Sequence, residues 1–280
     1  MLDSARAQVG FADGSTISIA SSDLGPTPRS RGTDITFLAA QPSAGAGVDT
    51  AAGLDAVLAA RDDRIAIVET DVESFREDPA RRRRLAESQR RHPRTGLWLA
   101  VTGVRDPDSI SREVDAARWA GFHTVGASIA SPAAAVLASS IAAESDFLHI
   151  DVGRLALACA PSRERGGDAE PADEMLWHPS LASLLRMALG ASAVVPTLVS
   201  VPACATAPWL TALFGAGARC LVLSDEQRSE LDVLAAGLTT DDAVALAATL
   251  GSARGAADAR RRVDAALSAL QDARVLAAVV

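Results

Sequence analysis

Six side chains able to do chemistry fall in or just after short, apolar, β-rich runs: Glu69, Asp71, Ser128, Asp151, Arg154 and Ser200. Arg154 could grip a carboxylate or phosphate bidentately. The alternative is a salt bridge to Asp151 or to the acidic stretch that follows it. Asp151 with Glu69 or Asp71 would make a minimal Mg²⁺ site from two strand-end carboxylates; the competing reading is a solvated or ion-paired acid. Ser200 as a nucleophile needs a histidine and an orienting acid. His149 is the one histidine near enough, but strand alternation leaves open whether it faces the site or the helices. No G-x-S-x-G elbow surrounds Ser200, which argues against a hydrolase. The expected catalytic residues are therefore Ser200 and Arg154. The expected ligand-binding residues are Asp151, Arg154, Ser128 and Glu69, with no metal.

Composition narrows the chemistry further. All 27 basic residues are arginine and there is no lysine, so Schiff-base, pyridoxal-phosphate and lysine-bearing phosphate-loop mechanisms are excluded. Tyrosine is absent too. The net charge of −8 argues against a nucleic-acid partner. The one basic run, Arg81 to Arg84, is flanked by Glu77, Asp78 and Glu87 and reads as a solvated helical face. Cys159, Cys204 and Cys220 lack metal spacing, and Cys204 and Cys220 read as small core residues. His178, before Pro179, reads as a helix-start residue; Trp98 and Trp119 read as packing residues. No run reaches the ~20 apolar residues of a membrane span. No secretory leader is visible at the first residues, so a cytoplasmic location is expected.

The elements that must hold these residues alternate along the chain. Strands are expected at about 15–20, 34–39, 64–69, 96–102, 124–129, 147–152, 194–200 and 219–224. Helices are expected at about 51–61, 74–91, 108–120, 132–144, 179–190, 207–215, 226–237, 241–250 and 254–275, with capping signals at Asp106-Pro107 and Ser131-Pro132. Eight strands in this order, within 280 residues, point to one α/β domain over 1–280, a (β/α)8 TIM barrel; a doubly wound sheet is the alternative. Gly25, Pro26, Pro28 and Gly32 make the first βα unit irregular. A C-terminal helical extension covers about 241–280. The polar stretch 161–175 reads as a long loop or lid on the face where such folds carry their sites.

Val125 to Ile150 resembles a signature of the phosphoenolpyruvate-utilising enzymes: pyruvate phosphate dikinase, phosphoenolpyruvate synthase and enzyme I of the sugar phosphotransferase system. The family pattern G-x-M-I-E-x-P-x-A-A, a helix, and S-x-G-T-N-D-L matches Ala130 to Arg154 without a gap. Trp177-His178-Pro179-Ser180 is similar to the family's H-P-A-V, and Pro196 to Gly217 to its P-x-x-x-C-G-E segment and following helix. Gly217 to Ser224 resembles the eighth strand, so the likeness covers about 96–237. It implies a phosphoenolpyruvate/pyruvate-type barrel, but not the family's chemistry. The family's two Mg²⁺-binding carboxylates fall on Ala130 and Arg154, its substrate-contacting Asn on Gly153, and its proton-donating Cys on Ser200. Its phosphate-gripping arginines have no counterpart in 35–38 or 68–71, and no phosphohistidine segment is present.

The resemblance thus implies a degenerate member, a non-catalytic small-molecule-binding or regulatory barrel without a cofactor. The alternative is a divergent phosphotransferase or lyase acting on phosphoenolpyruvate, pyruvate or a related keto-acid through a rebuilt site. Expected partners are a small carboxylate or phosphorylated ligand, and a second copy or a related barrel protein; neither nucleic acid nor a membrane is expected.

Overall fold

The computed structural model describes residues 7–10, 16–21, 35–38, 65–71, 78–91, 96–160 and 172–279. They form a parallel α/β fold around a curled sheet. Its strands are β1 (Ala7–Gly10), β2 (Thr16–Ser21), β3 (Ile35–Leu38), β4 (Ile65–Asp71) and β5 (Gly96–Thr102), then β6 (Thr124–Ile129), β7 (Leu148–Asp151), β8 (Thr197–Ser200) and β9 (Cys220–Leu223). β1 is an unexpected antiparallel partner of β2. Strands β2 to β9 pair in parallel with their sequence neighbours, and β2 also pairs in parallel with β9. The expected helix at 51–61 and the irregular stretch 21–33 lie largely outside the described residues.

Helices cover the outer face: α1 (Pro79–Arg91), α2 (Pro107–Trp119), α3 (Pro132–Val136), α4 (Ala138–Ala143) and α5 (Val152–Cys159). There follow α6 (Ala172–Leu176), α7 (Pro179–Leu189), α8 (Ala207–Gly215), α9 (Asp225–Ala235), α10 (Thr240–Gly251) and α11 (Ala256–Val279). The expected helix at 132–144 is two helices broken at Leu137. The expected strand start at 194 gives way to a 3₁₀ turn over Gly190–Ala193, so β8 begins at Thr197.

The local chemistry explains where these elements begin and end. Asp106 caps α2 by accepting from Ser109 N, and Ser109 Oγ reciprocates at the cap backbone, with Pro107 in the first turn. Ser224 with Gln227 and Thr239 with Asp242 build the same box for α9 and α10. His178 caps α7 through Nδ1, the helix-start role expected of it. Helices α2 and α8 end alike: Gly121 (φ 99) and Gly217 (φ 116) adopt the left-handed conformation. The next residues' amides, Phe122 N and Ala218 N, reach back to Ala117 O and Leu213 O. Those turns aim the chain into β6 and β9.

Two-residue alternation splits strands β4 to β9 between two faces. Val68, Leu99, Val125, Leu148, Val199 and Leu221 join the large cluster under the helices. Ile67, Ala100, Phe147, Leu198 and Val222 form a second cluster on the opposite, inner face, with Trp98 and Cys220 packed against it. The Trp98 and Phe147 rings lie 5.0 Å apart. Gly126 has no side chain because a Cβ there would sit 2.5 Å from the Phe147 carbonyl oxygen and 2.6 Å from its ring.

Candidate functional site

Two residues further along the same inner face, toward the strand C-termini, the apolar layer gives way to polar side chains. Glu69 stands on β4, Ser128 on β6, His149 on β7 and Ser200 on β8. Glu69, Ser128 and His149 are buried, and Ser200 is half-buried. Ala100, the register partner of Glu69 on β5, carries only a methyl, so the carboxylate can reach past β5 to side chains on β6 and β7. Ser128 Oγ donates to Glu69 Oε1 at 2.9 Å. His149 Nδ1 lies 2.9 Å from the same oxygen and 3.2 Å from Ser128 Oγ. On its other side, His149 Nε2 is 2.8 Å from Ser200 Oγ.

The charge state of Glu69 sets the direction of these bonds. Burial pushes its carboxyl upward, but it is outweighed by the His149 hydrogen bond and charge, the Arg154 charge and the Ser128 hydrogen bond. The net effect holds it below the ordinary carboxylate range. An ionised carboxylate only accepts, so Nδ1 carries a proton whatever the charge of the ring, and in the neutral ring that leaves Nε2 bare, as inferred from the bonding pattern. Nε2 is then an acceptor, and Ser200 donates to it. Carboxylate, imidazole and hydroxyl form one directed chain: Glu69, His149, Ser200.

Asp151 and Arg154 flank this chain. Strand β7 passes into α5 without a loop. Asp151 caps the helix, its Oδ1 accepting from Arg154 N at 2.9 Å. Arg154 was expected at a strand end; it instead occupies the first turn of α5. Its Nε lies 3.2 Å from Asp151 Oδ2 and its Nη2 3.2 Å from Glu69 Oε2. The Glu69 contact is an ion pair without hydrogen-bond alignment. The guanidinium therefore lies between two carboxylates, with its side chain 42 % exposed. Among the described residues, no group of three or more His, Cys, Asp or Glu converges to hold a metal ion.

The structure thus brings Glu69, Ser128, Asp151, Arg154 and Ser200 into one connected network. The side chain of Asp71 lies outside the described residues. What the sequence reading left open was His149, and strand chemistry supplies the signal. In Leu148-His149-Ile150 the flanking residues sit in the core under the helices, so the histidine must point to the inner face. Two packing expectations are corrected. Trp119 is 92 % exposed on the last turn of α2, and Cys204 is exposed in the turn after β8. Two cavities lie away from the network. One, of about 200 Å³, is apolar and sits between α7, α8 and α10. The other, of about 740 Å³, is at the opposite strand ends beside Trp98 and Trp119. No described helix alone is long and apolar enough to cross a membrane.

No protein-family model matches the chain, and no curated protein does. Among solved structures it is similar to an HpcH/HpaI aldolase/citrate lyase family protein from Burkholderia cenocepacia J2315. The identity is 14%, over 72% of this chain and 84% of that one, with a TM-score of 0.48. It is also similar to the citrate synthase SbnG, at 14% identity over 78% of this chain and 85% of that one, with a TM-score of 0.45. Neither likeness assigns a family.

Proposed function

We propose that the chain is a (β/α)8 barrel of phosphoenolpyruvate/pyruvate type, in which a metal-independent acid–base site has replaced the metal chemistry that the sequence resemblance implies. The parallel pairing of β2 with both β3 and β9 supports closure. The substrate class is a small keto-acid or phosphorylated acid, with Arg154 nearest its anionic group and the His149–Ser200 pair moving a proton.

One observation carries this reading: a guanidinium stands 3.2 Å from each of two carboxylates, where a divalent ion would need free oxygens. The resemblance puts the family's metal ligands at Ala130 and Arg154, a methyl and a cation. These residues do not fit Mg²⁺, and no step is routed through it. Arg154 keeps further N–H donors beyond Nε and Nη2.

The second reading, a barrel that binds such an acid without transforming it, draws on the same ion pairs, because both carboxylates already engage Arg154. Thermal denaturation with pyruvate, oxalate or phosphoenolpyruvate, each with Mg²⁺ or with EDTA, tests both readings. At least one acid is expected to raise Tm equally under both conditions, and not in Arg154→Met. A rise that requires Mg²⁺, or none with any acid, overturns the proposal. NMR of the acid incubated with the protein then separates turnover from binding alone.

A further inference from the structure

We propose that Ser200 is a nucleophile activated by His149 and positioned through Glu69, giving the protein an acyl-transfer activity toward carboxylic esters or thioesters. This goes beyond acid binding at Arg154 and rests on a different observation: the directed chain from Glu69 Oε1 to His149 Nδ1 at 2.9 Å and from Nε2 to Ser200 Oγ at 2.8 Å. A nucleophilic hydroxyl needs a base within hydrogen-bond reach and a third group that fixes the base. Both are present, on three different strands of one sheet.

The burial pattern agrees with these roles. His149 is fully enclosed, which protects the base from competing solvent contacts, whereas Ser200 is half-exposed at the C-terminal end of β8. Ser128 Oγ donates to the Glu69 oxygen that receives Nδ1–H, holding the carboxylate in one orientation. The sequence lacks a strand-to-helix elbow at Ser200, and the structure supplies exposure in another way: β8 ends at this residue, and α8 begins only at Ala207.

The chemistry balances without a cofactor. Ser200 Oγ adds to the acyl carbonyl while its proton moves to Nε2. The tetrahedral adduct collapses as Nε2 returns that proton to the departing alkoxide or thiolate. Water then adds to the acyl-serine with its proton taken by Nε2, and Oγ leaves with a proton from Nε2, releasing the carboxylic acid. During each addition an imidazolium forms beside the ionised Glu69, whose charge stabilises it. Glu69 touches no reacting atom and is a positioning residue.

The test is covalent labelling of the whole protein with a fluorophosphonate, read by intact mass and peptide mapping, alongside p-nitrophenyl acetate hydrolysis. The expected result is one adduct per chain, on Ser200, absent in Ser200→Ala and unchanged in Ser180→Ala. His149→Gln and Glu69→Gln should slow labelling by about 10²–10⁴-fold. Glu69→Gln should also displace the pH profile of labelling, which a merely structural role would not. An unlabelled folded wild type, labelling at another serine, or equal rates in wild type and Ser200→Ala would overturn the proposal. The wild-type result alone decides, even where a variant misfolds. Failure here leaves the acid-dependent Tm rise untouched, and loss of that rise leaves Ser200 labelling untouched, so the two proposals fail separately.

Discussion

The inner face of the sheet has two layers two residues apart, and they contrast along every strand that builds the site. Ile67 precedes Glu69, Gly126 precedes Ser128, Phe147 precedes His149 and Leu198 precedes Ser200. The lower layer is apolar and close-packed around the Phe147 ring. The upper layer is a polar network in which one carboxylate oxygen serves both a hydroxyl and an imidazole. Same-face periodicity places both layers, but different forces order them. Shape fixes the lower one. The upper one depends on charge and bond direction.

The largest expected effect lies in the lower layer. Phe147→Ala should cost about 3–5 kcal/mol, lowering Tm by roughly 10 °C in a thermal melt, because the ring is fully buried between Trp98 and Gly126. A change below 1 kcal/mol would mean that the lower layer is not tightly packed, and the contrast would fail.

Glu69→Gln should come next, at about 1.5–3 kcal/mol near neutral pH, from a weakened charge-assisted bond to His149 and a lost ion pair with Arg154. Its pH dependence sharpens the contrast. The folded carboxyl lies below its ordinary value, so its contribution is fully present above the unfolded pKa of about 4.3. That contribution disappears as pH falls through the lower folded value. Denaturant melts from pH 7 to pH 3 should therefore show wild type losing more stability than Glu69→Gln, with the two curves converging at the acid end. Parallel curves would show that Glu69 is not held ionised by its partners. Gly126→Ala should follow at about 1–3 kcal/mol, as the new methyl overpacks against Phe147. A neutral result in the same melts would show that the lower layer yields.

The sequence made the strands legible because each buried parallel strand is a short apolar run bounded by turn or capping residues. Three helix starts were legible through residues that the structure uses as caps: Asp106, Ser131 and His178. Strand β1, Ala-Gln-Val-Gly, carries no period strong enough to register. Helix α5 was missed because Asp151 is both the last strand residue and the helix cap, leaving no turn between them. The individual site residues were visible as polar groups in or beside strands. Their connection was not, since which side chain meets which depends on register, such as Ser128 with His149 and Asp151 with Ser200, and on the curl that brings β4 toward β7 and β8. For Arg154 the sequence left open a ligand grip or a salt bridge to Asp151; the Asp151 contact forms, and the partner that could not be read was Glu69, which is distant in the chain.

The smallest stability effect should come from the residue with the largest proposed chemical role. Ser200→Ala removes the donor to His149 Nε2 at 2.8 Å, leaving an acceptor rather than an unpaired N–H or charge. Ser200 is half-exposed, so water can follow into the space the hydroxyl leaves and donate to Nε2 in its place. A bond so replaced should cost under about 1 kcal/mol in a denaturant melt, well below Phe147→Ala. A cost above about 3 kcal/mol would move Ser200 into the structural layer beneath it. The distinction between packed base and reactive rim would then break at the one position where it bears on catalysis.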